Sequence, residues 1–137
     1  MQKILLDTNF LLIPAAFNVD IFSEFNRLFP RNSLFILDKS IYELKHIELN
    51  QKGRYKQQAK IGIQMVKKYK ITTIKTEKHI NTYKSTSKIL NVDDLIVDFA
   101  LKEDYLIATQ DKEIKAKIKK YNKKSIILKQ KKYLIIT

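Results

Sequence analysis

Four acidic signatures punctuate the chain, each where a run that reads as a strand or helix gives out. They are Ile4-Leu5-Leu6-Asp7-Thr8-Asn9, Ser40-Ile41-Tyr42-Glu43-Leu44, Val92-Asp93-Asp94-Leu95-Ile96 and Ala108-Thr109-Gln110-Asp111. The chain around them is basic, with 27 Lys and Arg against 14 Asp and Glu among 137 residues. Carboxylates kept at element ends in such a chain can hold a cation and present it to a polyanion.

The charge is unevenly placed. Residues 1–50 carry five basic against six acidic residues, and residues 51–137 carry 22 against eight. A basic surface of that size attracts nucleic acid, because neutralised phosphates release counterions. Cysteine is absent, which excludes disulfides, thiolate metal sites and a cysteine nucleophile within the chain. No apolar run approaches the ~18–20 residues of a membrane helix. The longest, Phe10 to Phe17, is interrupted by Pro14. The expectation is a soluble, cytoplasmic protein with no membrane partner, folded as a single domain over residues 1–137.

The elements that must position the acids alternate in type. Lys3–Leu6 reads as a buried strand ending in a turn. A helix follows over Asp20–Phe29 and stops at Pro30, then a strand over Leu34–Leu37. Asp38 is placed to cap a helix carrying Ile41, Leu44 and Ile47. A helix over Tyr55–Tyr69 and a strand over Ile71–Ile74 come next, and residues 76–91 are polar with little periodicity. A helix over Asp93–Lys102, a strand over Tyr105–Thr109, a Lys-rich helix from Asp111 to about Tyr121, and strands Ser125–Leu128 and Tyr133–Ile136 complete the chain. Such alternation predicts an α/β fold, a three-layer α/β/α sandwich with a central, mostly parallel sheet. In sheets of that kind, sites form beyond the carboxyl ends of the strands.

Asp7 then sits at the end of the first strand, and Asp111 two residues past a later one. Asp93 opens a helix on which Ile96, Val97 and Ala100 continue its stripe. A carboxylate on a buried stripe is costly unless it is paired, hydrogen-bonded or metal-bound. Each acid also has a plain structural role open to it. Asp93, Asp94 and Asp111 suit helix N-termini, Asp7 suits an Asx turn, and Glu43 can stand exposed beside Lys45 and His46.

The order and spacing of the four signatures resemble those of the PIN-domain ribonucleases, over essentially the whole chain. That family opens with a strand ending Asp-Thr/Ser-Asn/Ser, here Asp7-Thr8-Asn9. It carries Glu-Leu in the helix after the second strand, here Glu43-Leu44. It places an Asp seven residues before a small residue, here Asp93 and Ala100, and closes with Thr-x-Asp, here Thr109-Gln110-Asp111. The resemblance implies a PIN-like, Rossmann-like fold and a catalytic, metal-binding set of Asp7, Glu43, Asp93 and Asp111. Thr8, Asn9, Asp94 and Thr109 would orient the carboxylates or a bound water. Asp98 would face solvent.

Converging carboxylates with only oxygen donors suit Mg²⁺ or Mn²⁺. The activity so implied is hydrolysis of RNA by an endoribonuclease, leaving 5′-phosphate and 3′-hydroxyl ends. Arg54, Lys112, Lys115 and Lys119 are the candidate RNA contacts, while Tyr55, Tyr83 and Tyr121 fit base stacking less well than core or rim packing. His46 and His79 show no zinc spacing. Within the family, the tail Ser125–Leu134 and the motif Asp7–Pro14 look like small archaeal proteins related to small-subunit rRNA-processing nucleases. That implies an rRNA precursor as substrate and a ribosome-assembly partner. The rival is a VapC-type toxin with an antitoxin partner. A non-catalytic RNA-binding module and a basic ribosome-associated protein with structural acids are the other classes. The family often forms homodimers, and Phe17, Phe22, Phe25 and Phe29 suit a core or an interface between copies.

Overall fold

In a computed structural model, residues 1–76 and 92–137 are described. Strand β1 (Gln2–Leu6) is the middle of the molecule because Ile4, Leu5 and Leu6 have no exposed surface on either side. Alternation sends Ile4 and Leu6 to one face and Leu5 to the other. With β2 (Asn32–Leu37), β3 (Thr72–Ile74), β4 (Leu106–Ala108), β5 (Ser125–Lys129) and β6 (Tyr133–Ile136), it builds one six-stranded sheet in the order β3-β2-β1-β4-β5-β6. Every pairing is parallel except β5 with β6, which are joined by a turn at Gln130 and Lys131, both at positive φ. The predicted three-layer α/β/α sandwich is the fold observed.

One face of the sheet is covered by α1 (Ile13–Phe17), α2 (Ile21–Leu28), α3 (Asp38–Asn50) and α4 (Arg54–Lys68). The other is covered by α5 (Val92–Lys102) and α6 (Lys112–Lys120), which bury Leu95, Ile96, Phe99, Ile114 and Ile118 on Leu5, Leu37 and Ile107. Among Phe10–Phe17, where the sequence shows only an apolar run, the chain forms a 3-10 helix over Thr8–Leu12 and then α1, with Pro14 in its first turn. Phe10 and Leu11 are fully buried there. Gly62 of α4 lets this segment approach closely, since a Cβ at Gly62 would lie 2.9 Å from the Leu11 carbonyl oxygen. Phe22 and Phe25 are core, Phe29 packs on it and Phe17 is half-exposed.

Two expectations need correcting. Asp38 does not cap α3. It is the first residue of that helix, and Leu37 occupies the cap position without a side-chain bond. The Asp38 Oδ1 accepts the next N–H, of Lys39, at 2.8 Å, and the carboxylate also accepts from the Thr76 hydroxyl (2.8 Å) and backbone N–H (3.2 Å), tying β3's exit to the start of α3. Asp98 is half-buried and pairs with Lys102 at 3.1 Å instead of facing open solvent. The expectations for residues 77–91, including His79 and Tyr83, lie outside the described residues. Among the described residues no helix is long and apolar enough to cross a membrane.

Candidate acidic site at the strand ends

β2 lies on one side of β1 and β4 on the other, so the strand order reverses at β1 and a crevice opens beyond the carboxyl ends of β1 and β4. Asp7 is the first residue past β1, and its N–H continues the ladder to the Ala108 carbonyl at 3.0 Å. Its carboxylate is clamped from two directions. Oδ1 accepts the Thr8 N–H and Oδ2 accepts the Thr109 hydroxyl, each at 2.8 Å.

Asp7 is only 4% exposed. Its pKa is raised from the ordinary 3.8 to about 6, by burial first, with the two hydrogen bonds opposing and the charges of Asp93 and Asp111 adding to the rise. Asp93 is also raised, first by burial and then by the charge of Asp111, with Lys117 opposing. Three carboxylates therefore share one electrostatic field, as expected for residues facing a common crevice.

Thr109 is the hinge of the arrangement. It is fully buried, its N–H donates to the Ile126 carbonyl at 3.0 Å, and its hydroxyl both donates to Asp7 and accepts the Asp111 N–H at 3.0 Å. Asp111 caps α6, its Oδ1 accepting from Glu113 and Ile114 N–H groups at 2.8 and 3.1 Å. The capping role and the place in the acid group coexist. Gln110, between them, holds the backbone of Leu128 at both ends of its amide, accepting from the N–H at 2.7 Å and donating to the carbonyl at 3.4 Å.

Asp93 lies at the border of α5's buried stripe, not within it. The stripe is Leu95, Ile96, Phe99 and Ala100, with Val97 only partly buried. Its centre is about 90° around the helix from Asp93. Asp94 points to α6, where Lys117 Nζ is 3.6 Å from its Oδ1.

The remaining candidates are less closely gathered. Glu43 is exposed on α3, and no hydrogen bond or ion pair among the described residues joins it to the other acids. Asn9 is exposed. Arg54 is exposed at the start of α4, beside a cavity of about 630 Å³ shared with Ala15, Lys56 and Gln57. Lys112 is exposed in the first turn of α6, and Lys115 and Lys119 line a separate cleft on that helix. His46 bonds through its ring to Asn50, one turn away. Tyr55 and Tyr121 are exposed.

Sequence reasoning missed Ser40 and underplayed Lys117. The Ser40 hydroxyl is buried at the start of α3, three residues before Glu43, and among the described residues it has no hydrogen-bond partner. The Thr8 hydroxyl, next to Asp7, is in the same condition. An unmet buried hydroxyl costs about 1–3 kcal/mol, so such a site invites water or an ion. Ser40 stood one helical turn ahead of a singled-out acid, which was the available signal. Lys117 was hidden among equivalent lysines.

The donors here are carboxylate oxygens and hydroxyls, strained by burial and mutual repulsion, and they fit a hard divalent cation. Among the described residues no three acidic or imidazole side chains are gathered tightly enough to share one ion without moving.

A mostly parallel α/β sandwich is the architecture that the comparisons recover. The chain belongs to the PIN-like domain family, whose model matches residues 4–131. Ribonuclease VapC4 of Methanocaldococcus jannaschii is 28% identical over 140 residues, covering 99% of this chain and 97% of that protein. The PIN domain endonuclease Utp24 superposes with a TM-score of 0.73 at 23% identity, over 98% of this chain and 90% of that one. VapBC-1 from nontypeable Haemophilus influenzae matches with a TM-score of 0.55 at 19% identity, over 87% and 94%. At such identities the structural likenesses speak to the fold.

Proposed function

We propose that this protein is a divalent-metal-dependent endoribonuclease, acting in the cytoplasm on rRNA precursors or other structured RNA. The observation that carries the reading is Asp7: a buried carboxylate, clamped by Thr8 and Thr109, in the field of Asp93 and Asp111. Asp7, Asp93 and Asp111, with Glu43 brought in from α3, would hold Mg²⁺ or Mn²⁺. A bound ion of that kind polarises a phosphodiester and acidifies a water for in-line attack.

The chain's own residues do the positioning. Thr109 fixes Asp7 and Asp111 relative to one another through one hydroxyl, and the α6 N-terminus is pinned by Asp111. Lys117 offsets the charge of Asp93 and holds Asp94 to α6. Hydrolysis would leave 5′-phosphate and 3′-hydroxyl ends, with no protein nucleophile. Arg54, Lys112, Lys115 and Lys119 would contact RNA backbone.

The resemblance of the tail Ser125–Leu134 and of the motif Asp7–Pro14 to small archaeal proteins related to rRNA-processing nucleases supports a ribosome-assembly setting for this activity. The full-length match to VapC4 supports a second reading, a toxin paired with an antitoxin. Either role is compatible with a homodimer.

The test is cleavage of an RNA panel that includes small-subunit rRNA precursor fragments, with wild type and Asp7→Asn compared in Mg²⁺, Mn²⁺ and EDTA. Metal-dependent cleavage that disappears in a folded Asp7→Asn protein supports the nuclease, and the preferred RNA separates processing factor from toxin. Binding without cleavage under every metal would leave an RNA-binding module.

A further inference from the structure

α6 carries lysines on both flanks of its buried stripe, and the two flanks face different surroundings. Ile114 and Ile118 pack inward. On one flank Lys117 reaches Asp94 and the acid crevice. On the other, Lys115 and Lys119 line a cleft of about 440 Å³ together with Lys123, Lys124, Ser125 and Ile127. The lysines that the sequence presents as one basic run are thus divided by the helix into a crevice group and a cleft group.

The cleft begins near the crevice and runs away from it. Asp111 caps α6 at the carboxyl end of β4, and the nine residues Lys112–Lys120 carry the helix back about 14 Å. Lys123 and Lys124 follow its C-terminus and lead into β5. Among the described residues Lys115, Lys119 and Lys124 make no ion pair. Lys123 has only Asp104, at 3.9 Å, and Asp104 is almost wholly exposed. An exposed pair of that kind neutralises little. Four ammonium groups therefore surround one cavity with their charge nearly uncompensated, and a phosphate-bearing strand is the occupant that relieves it while releasing its own counterions. Ile127, half-buried on the cleft wall, adds an apolar surface for a base or ribose.

We infer that this cleft is an exosite for the backbone of single-stranded RNA flanking the cut, gripping the substrate away from the acids. The inference rests on the ribonuclease reading for the site it serves. It divides the work on the substrate: crevice residues set turnover, and cleft lysines set the affinity for RNA long enough to reach them.

The experiment uses the whole protein with Lys119→Gln, Lys123→Gln and Lys124→Gln combined. A control removes the same charge elsewhere, at Lys60, Lys67 and Lys70, which are exposed on and after α4. Binding of a fluorescent trinucleotide and of an RNA of about 15 nucleotides is measured by anisotropy in EDTA across a salt series. For the longer RNA, the cleft variant is expected to bind tenfold to a hundredfold more weakly, with the slope of log Kd against log salt reduced by about 2, roughly 0.7 per lost phosphate contact. The trinucleotide and the control variant should change little. In Mg²⁺ or Mn²⁺ cleavage, KM for the longer RNA should rise by the same factor while kcat holds. An unchanged salt slope, an equal loss for the trinucleotide, or an equal loss in the control overturns the exosite. So does a cleft that takes an acidic protein but not RNA. If no metal supports cleavage, the ribonuclease reading fails, and the EDTA binding arm still decides the exosite by itself.

Discussion

Replacing Asp7 by Asn should make the metal-free protein more stable, and the gain should depend on pH. Asp7 is buried and its pKa is raised from 3.8 to about 6. The native state therefore holds the proton more tightly than the unfolded chain does. Below pH 3.8 both states are protonated and the residue is neutral in its effect. Between 3.8 and about 6 the unfolded chain ionises while folded Asp7 keeps its proton, so the penalty grows with pH, and above about 6 it is constant. A shift from 3.8 to about 6 corresponds to roughly 3 kcal/mol, at about 1.4 kcal/mol per unit. Asn keeps the acceptor for the Thr8 N–H but presents a donor to the Thr109 hydroxyl, which must redirect its proton. That loss is worth about 1 kcal/mol. The net gain is about 2 kcal/mol at pH 7.5, or roughly 5–10 °C in Tm for a domain of this size. The assay is thermal or urea denaturation in EDTA at pH 4 and pH 7.5, repeated with Mg²⁺ or Mn²⁺. At pH 4 the variant's advantage should shrink toward zero, and a divalent cation should stabilise wild type but not Asp7→Asn. An Asn variant no more stable than wild type at pH 7.5, or a gain of equal size at both pH values, would refute the reasoning.

Asp111 separates charge from capping. Asp111→Asn keeps an Oδ1 acceptor for Glu113 and Ile114 and should fold with little change, whereas Asp111→Ala should cost about 1 kcal/mol by urea denaturation. Both should lose metal-dependent cleavage, and full activity in the Asn variant would show that the charge is dispensable. The two glycines should respond differently to alanine. At Gly62 the new Cβ meets the Leu11 carbonyl oxygen at 2.9 Å and should cost about 1–3 kcal/mol, measured by denaturation. At Gly53 (φ 68, ψ −135) there is open space, and backbone strain of about 1–3 kcal/mol is the whole effect.

Much of this architecture was legible because period and punctuation agreed. Leu6-Asp7 and Leu37-Asp38 each mark a strand running out into polar residues, and both strands end there, while the strand read over Tyr105–Thr109 is trimmed to Leu106–Ala108. The Tyr133–Ile136 strand and the Asp20-capped helix were also readable, because their flanking residues leave few alternatives. Phe10–Phe17 was not read as helical, since an apolar run without polar interruption carries no period. It folds as 3-10 and α-helix packed against α4, with Leu11 lying over Gly62. Asp38 looked like a cap in one dimension, but besides the adjacent Lys39 N–H its carboxylate bonds Thr76, 38 residues away. The acid group was legible in order and type only. That Asp7, Asp93 and Asp111 sense one another while Glu43 stands exposed depends on side-chain placement, which spacing does not encode.

The Gln110 amide has a consequence for how the site tolerates change. In Thr-x-Asp it is the unspecified letter, yet its side chain meets both backbone groups of Leu128, serving as one extra rung of sheet after β4 has ended. Only a side chain with a donor and an acceptor on one planar group, at that reach, can imitate a peptide unit. The loop bearing Asp111 is thereby registered to β5 as a strand would be, and ordering it for a ligand demands little further loss of freedom. A position that looks free in the motif is, in this chain, the stitch by which the rigidity of the sheet is extended to the acid beyond it.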